Sequence, residues 1–67
     1  MNERMRDHND HILHEGELVF VLHHPEVFIS DSWMVLDFLG CTKDFVLQHY
    51  ISNEIRIFNQ RDVERMY

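Results

Sequence analysis

The chain has 67 residues with 12 Asp and Glu against 6 Lys and Arg, a formal net charge of −6. A domain this small buries only about 60% of the surface its unfolded chain exposes, so its five Phe, two Tyr and one Trp must supply much of the core. The single Cys41 excludes an intramolecular disulfide, no run approaches the roughly 18 apolar residues of a membrane-spanning helix, and no charged start leads into an apolar signal segment, so a cytoplasmic protein is expected.

Residues 1–16 are polar with scattered Met and no apolar period, and read as a partly disordered N-terminal segment ending at Gly16. A single domain is expected over 17–67. Glu17 to His23 is a Val- and Phe-rich run that reads as a strand. Pro25 makes a turn, since its ring fixes φ and leaves no donor for a ladder. Residues 26–29 then give a second short strand and complete a β-hairpin.

From Asp31 the pattern changes. Val35, Leu36, Phe38 and Leu39 fall at helical spacing behind a capping Ser30 or Asp31, which predicts a helix near 31–39. Gly40 suits a left-handed residue closing that helix. Thr42 can open a second helix near 42–52, with Val46, His49 and Tyr50 at i, i+3 and i+4. Two helices joined by a short Gly-containing turn is the helix-turn-helix plan. Residues 54–58 alternate as a third strand with Ile55 and Ile57 on one face, and 60–66 read as a last helix with Val63 and Met66 inward.

The stretch LGCTKDFVLQHYISNEI resembles the core of the MerR/excisionase-like winged helix-turn-helix family. Leu39 and Gly40 match its LG, Thr42 its capping Ser and Val46 its buried Val, while Cys41 stands at a small buried position. Asn53 falls at the family's Gly, and Asn is the other residue that visits the left-handed region readily. The tail IRIFNQRDVERMY is similar to the family's closing strand and "DVER" helix. Two departures stand out. Too few residues separate Asn53 from Asp62 for a two-stranded wing, and Leu36 occupies a position where the family prefers a small Ala. The implied architecture is α+β: a small helix-turn-helix core, an N-terminal hairpin pairing with strand 54–58 in a three-stranded sheet, a C-terminal helix, and a wing reduced or absent.

The resemblance implies a DNA-binding regulator that lays helix 42–52 in the major groove, acting as a homodimer or on repeated sites. Lys43, Asp44, Leu47 and Gln48 would face outward, with Gln48 suited to adenine and Lys43 to guanine or phosphate. Phe45 would add to an apolar patch with Leu47. Arg56, Arg61 and Arg65 would approach the backbone of double-stranded DNA. The charge argues the other way: residues 1–30 carry two bases against six acids (−4), and 31–67 four against six (−2), whereas phosphate binding requires a basic face. The alternative is an acidic protein-interaction module, of the phage or mobile-element regulator or inhibitor kind, engaging a basic or nucleic-acid-binding partner through Phe45, Leu47 and an acidic rim.

No catalytic pattern, phosphate loop or cofactor motif appears. Cys41 reads as an inert core thiol and His49 as a partly buried structural histidine. His8, His11 and His14 form an H-x-x-H-x-x-H run whose residue types suit zinc, but with no Cys nearby and no HExxH or CxxC spacing a solvated polar terminus is the preferred reading and no metal is expected.

Overall fold

The computed structural model describes residues 5–66. It is a five-stranded antiparallel sheet made of β1 (Leu18–Val21), β2 (Trp33–Leu39), β3 (Asp44–His49), β4 (Ile55–Asn59) and β5 (Val63–Arg65). Among the described residues the only helical turn is a 3₁₀ turn, Gln60–Asp62. The strand order is β4-β3-β2-β1-β5. The outermost strands β4 and β5 are therefore consecutive in sequence, and this forces the sheet to curl. In a flat sheet four strand spacings of about 4.8 Å would hold them about 19 Å apart. The chain from Asn59 to Val63 reaches at most about 14 Å, and less through a 3₁₀ turn. The result is a small, half-open barrel, an architecture that by itself fixes no function.

Alternation builds the interior. Val19 and Val21 of β1, Trp33 and Val35 of β2, Phe45 and Leu47 of β3, Phe58 of β4 and Val63 of β5 point inward and are buried, with Leu13 joining them from the N-terminal side. The core thus reaches across the boundary expected at residue 17. In β2 the alternation is interrupted: Val35 pairs with Leu47 and Asp37 with Val46, so Leu36 is an extra residue and the register shifts. This β-bulge re-aims the strand and turns Phe38 inward against Phe45, with ring centroids 4.7 Å apart.

The N-terminal segment closes one edge of the barrel. Arg6 bridges Ile12, and Leu13 N–H donates to the Met5 carbonyl at 2.8 Å. The His8 N–H donates to the Val63 carbonyl of β5 at 3.0 Å. Asp7, fully buried, organises this lobe: Oδ1 accepts the N–H groups of Asn9 (3.0 Å) and His11 (2.8 Å), and Oδ2 accepts that of Arg65 (2.7 Å). Residues before Met5 lie outside the described part of this segment.

The α+β helix-turn-helix architecture is overturned. Residues 31–39 and 42–52 are not helices: they supply β2, a turn, β3 and the β3–β4 turn. Residues 60–66 hold the 3₁₀ turn and β5, not a helix. Residues 26–29 form no strand, so there is no 17–29 hairpin, and the strand at 55–59 pairs with β3. Strands expected at 17–23 and 54–58 overlap β1 and β4. The physical reason lies in residue type: Val35, Phe38, Phe45 and Val46 suit a half-buried pleated surface. Between β2 and β3 the left-handed residue is Lys43 (φ 60°), and between β3 and β4 it is Asn53 (φ 62°).

Candidate interaction cleft

The long β1–β2 connection, residues 22–32, folds down onto the β3–β4 turn, residues 50–54. Three histidine–aspartate contacts pin it, two at its start and one at its end. At its start His23 Nδ1 and His24 Nε2 lie 3.1 and 3.2 Å from the two carboxylate oxygens of Asp62 in the 3₁₀ turn. At its end Asp31 Oδ2 accepts from His49 Nε2 at 2.7 Å, and the Tyr50 N–H donates to the Ser32 carbonyl at 3.0 Å. Between the pins runs a chain of edge-on rings: His24 on Phe58 (4.9 Å), Phe58 on Trp33 (5.0 Å) and Trp33 on His49 (4.8 Å). Offset and edge-on contacts of this kind are favourable for aromatic quadrupoles. The loop is thereby tied to the core through one continuous stack.

Burial pushes the Asp62 carboxyl up, but the hydrogen bonds and charges of His23 and His24 outweigh it and hold its pKa below the usual value. Asp7 behaves alike: burial raises it, and the hydrogen bonds from Arg65, His11 and Asn9 bring it down on balance.

Beneath the pinned loop lies an open cleft of about 220 Å³, walled by Phe28, Trp33 and His49 and rimmed by Glu26, Asp31 and Arg56. Arg56 is held by Glu54 (2.9 Å) and lies 3.9 Å from Glu26. The lining thus holds three carboxylates, Glu26, Asp31 and Glu54, against one guanidinium, and the rim is acidic. The Trp33 indole N–H is buried and has no hydrogen-bond partner among the described residues. At and beside the cleft four large apolar side chains stand in solvent on the two joined loops: Phe28, Ile29, Tyr50 and Ile51 are 66–76% exposed.

Asp31, His49 and Ser52 share the connectivity of a hydrolytic triad, with Ser52 Oγ 3.1 Å from His49 Nδ1. Their hydrogen bonding argues for a different role. His49 Nδ1 also accepts the N–H groups of Ile51 (3.3 Å) and Ser52 (3.1 Å), and Ser52 Oγ accepts that of Glu54 (3.2 Å). A nitrogen already occupied by two backbone donors is a poor base, and the turn's N–H groups are spent internally and not aimed at an oxyanion. The constellation caps the β3–β4 turn.

The residues expected to contact DNA or a partner are dispersed. Phe45 and Leu47 are wholly buried in the core, so neither presents the exposed apolar patch expected of it. Lys43 lies in the β2–β3 turn, and Asp44 accepts from the Asn59 amide (3.0 Å). The Gln48 amide contacts the Asn53 carbonyl at 3.4 Å. Arg61 is exposed in the 3₁₀ turn, and Arg56 alone lines the cleft. No helix exists at 42–52 to enter a major groove. The three N-terminal histidines diverge: His8 pairs with Glu64 (2.8 Å), His11 with Asp7 (3.2 Å), and His14 is exposed. Among the described residues no group of three or more His, Cys, Asp or Glu is placed to hold a metal. Phe28, Ile29, Tyr50 and Ile51 were missed as a surface set; the signal was the pair of adjacent apolar residues following the Pro25 turn.

No family model, no curated protein and no solved structure matches this chain. Among the described residues no helix is long and apolar enough to cross a membrane.

Proposed function

We propose that this chain is an acidic protein-interaction module that engages a basic partner through the cleft between its 22–32 loop and its β3–β4 turn. The observation that carries this reading is the placement of Phe28, Ile29, Tyr50 and Ile51 in solvent around a rim of Glu26, Asp31 and Glu54. Exposed aromatic and aliphatic clusters edged with charge are typical of protein-contact surfaces. An acidic rim favours Lys and Arg in the partner and disfavours phosphate. The loops are pinned to the core before any partner arrives, which lowers the ordering cost of association.

Calorimetric titration with a blocked peptide of alternating Lys and Val tests the reading, against a mixed-sequence DNA duplex at equal low salt. The peptide is expected to bind and the duplex to give no heat. Phe28→Ser combined with Ile51→Ser is expected to weaken peptide binding at least about tenfold, or about 1.4 kcal/mol, with little change in melting temperature. Duplex binding without peptide binding overturns the proposal.

A further inference from the structure

We infer that the open edge of β4 is where the partner docks, adding an extended segment to the sheet as a sixth strand. This rests on the reading above and specifies the partner's conformation. The first argument is backbone accounting. The His49 N–H donates to the Glu54 carbonyl at 2.8 Å, and Leu47 pairs with Arg56 and Phe45 with Phe58. In an antiparallel ladder the bonded pairs alternate, so Glu54, Arg56 and Phe58 direct their backbone groups at β3. Ile55, Ile57 and Asn59 direct theirs off the sheet. Among the described residues no backbone hydrogen bond links Ile55 or Ile57 to a loop.

The two edges of the sheet differ. The β5 edge is covered by the chain's own residues, through His8 on Val63 and Asp7 on Arg65. The β4 edge is guarded only by its shortness and by Arg56: Ile55–Asn59 contains no Pro, no Lys and no bulge. Instead Ile55 and Ile57, 58% and 59% exposed, stand on its outer face.

Side-chain alternation then states what the partner must look like. A strand laid beside β4 places every second residue next to Ile55 and Ile57, where apolar side chains suit. The residues between fall on the side of Arg56, whose single guanidinium is outnumbered by the carboxylates of Glu54 (2.9 Å) and Glu26 (3.9 Å), so Lys or Arg set beside those carboxylates suit. The occupant is an extended segment of alternating apolar and basic residues, held by main-chain hydrogen bonds and selected by side chains, as in β-strand addition generally.

Residue-resolved amide spectra and hydrogen exchange of the full chain test this with the blocked alternating Lys-Val peptide. A peptide of the same composition, with all Lys preceding all Val, is the control. The expected result is shifted and slowly exchanging amides at Ile55, Ile57 and Asn59 with the alternating peptide only. Ile57→Pro removes an N–H that points off the sheet, and Ile57→Lys places a charge where an apolar neighbour is needed. Either variant is expected to abolish the protection, and Ile57→Lys gives the reading if Ile57→Pro fails to fold. Changes confined to residues 26–32 and 50–54 overturn strand addition and leave the cleft reading standing. An equal response to the control peptide overturns it as charge attraction without pairing. Edge protection that grows with protein concentration and needs no peptide overturns it by assigning the edge to a second copy. No change anywhere overturns both readings.

Discussion

His49 and Asp31 meet through a 2.7 Å hydrogen bond that joins the last residue of β3 to the end of the long β1–β2 loop. Their side chains are 15% and 25% exposed. The same imidazole caps the β3–β4 turn on its other nitrogen, so one side chain holds together both loops that form the cleft.

Replacing His49 by Ala therefore removes the loop pin and the turn cap together. The expected cost is about 2 kcal/mol in urea unfolding, with Ser52→Ala costing less than about 1 kcal/mol because the backbone donors to His49 remain. A Ser52→Ala variant as unstable as His49→Ala would show that the hydroxyl, and not the imidazole, organises the turn.

The pH dependence follows from Asp62 and Asp7, whose carboxyls are both held below their ordinary value in the fold. A lowered folded pKa means that the unfolded chain binds the proton more tightly. The stabilisation from each carboxylate is complete above the unfolded value of about 3.9. It is lost as pH falls through the lower folded value. Thermal melts across the acid range should show stability falling below about pH 4, and Asp62→Asn should flatten the fall. An unchanged profile in Asp62→Asn would remove Asp62 from the account.

Asp7 carries a second expectation. Asp7→Ala leaves the N–H groups of Arg65, His11 and Asn9 without their acceptor in a closed site. Buried donors left unpaired cost about 1–3 kcal/mol each when water cannot reach them, so a loss of about 3 kcal/mol is expected. Exchange of the Arg65 amide should rise ahead of global unfolding. Retained protection there would mean that another group replaces the carboxylate.

Core and surface substitutions should divide sharply within β3. Phe45→Ala and Leu47→Ala, both wholly buried, should each cost about 3–5 kcal/mol. Gln48→Ala, whose amide makes one long contact at 3.4 Å, should cost less than about 0.5 kcal/mol. Denaturant midpoints check this. Similar midpoints for Leu47→Ala and Gln48→Ala would contradict the inward assignment.

The local chemistry of the chain carried part of this structure openly. The Val- and Phe-rich run at 18–21 and the alternation at 55–59 are strands wherever they pair, and Asn53 is a residue type suited to the left-handed turn it occupies. The acidic balance, too, is fixed by composition alone. What misled was the spacing of Val35, Phe38 and Leu39. Inward residues of a regular strand recur every second position, but the extra Leu36 sets Val35 and Phe38 three apart, which is the interval of a helix face. Phe45 and Leu47 alternate correctly, yet the run around them is short and apolar on both sides, and short apolar runs leave helix and strand undecided. The arrangement of the cleft was further out of reach, because His24 meets Asp62 and Asp31 meets His49 only after the sheet has curled. A bulge and a helix can write the same apolar spacing into a chain; what separates them is the strand lying opposite, and that strand is supplied by residues distant in sequence.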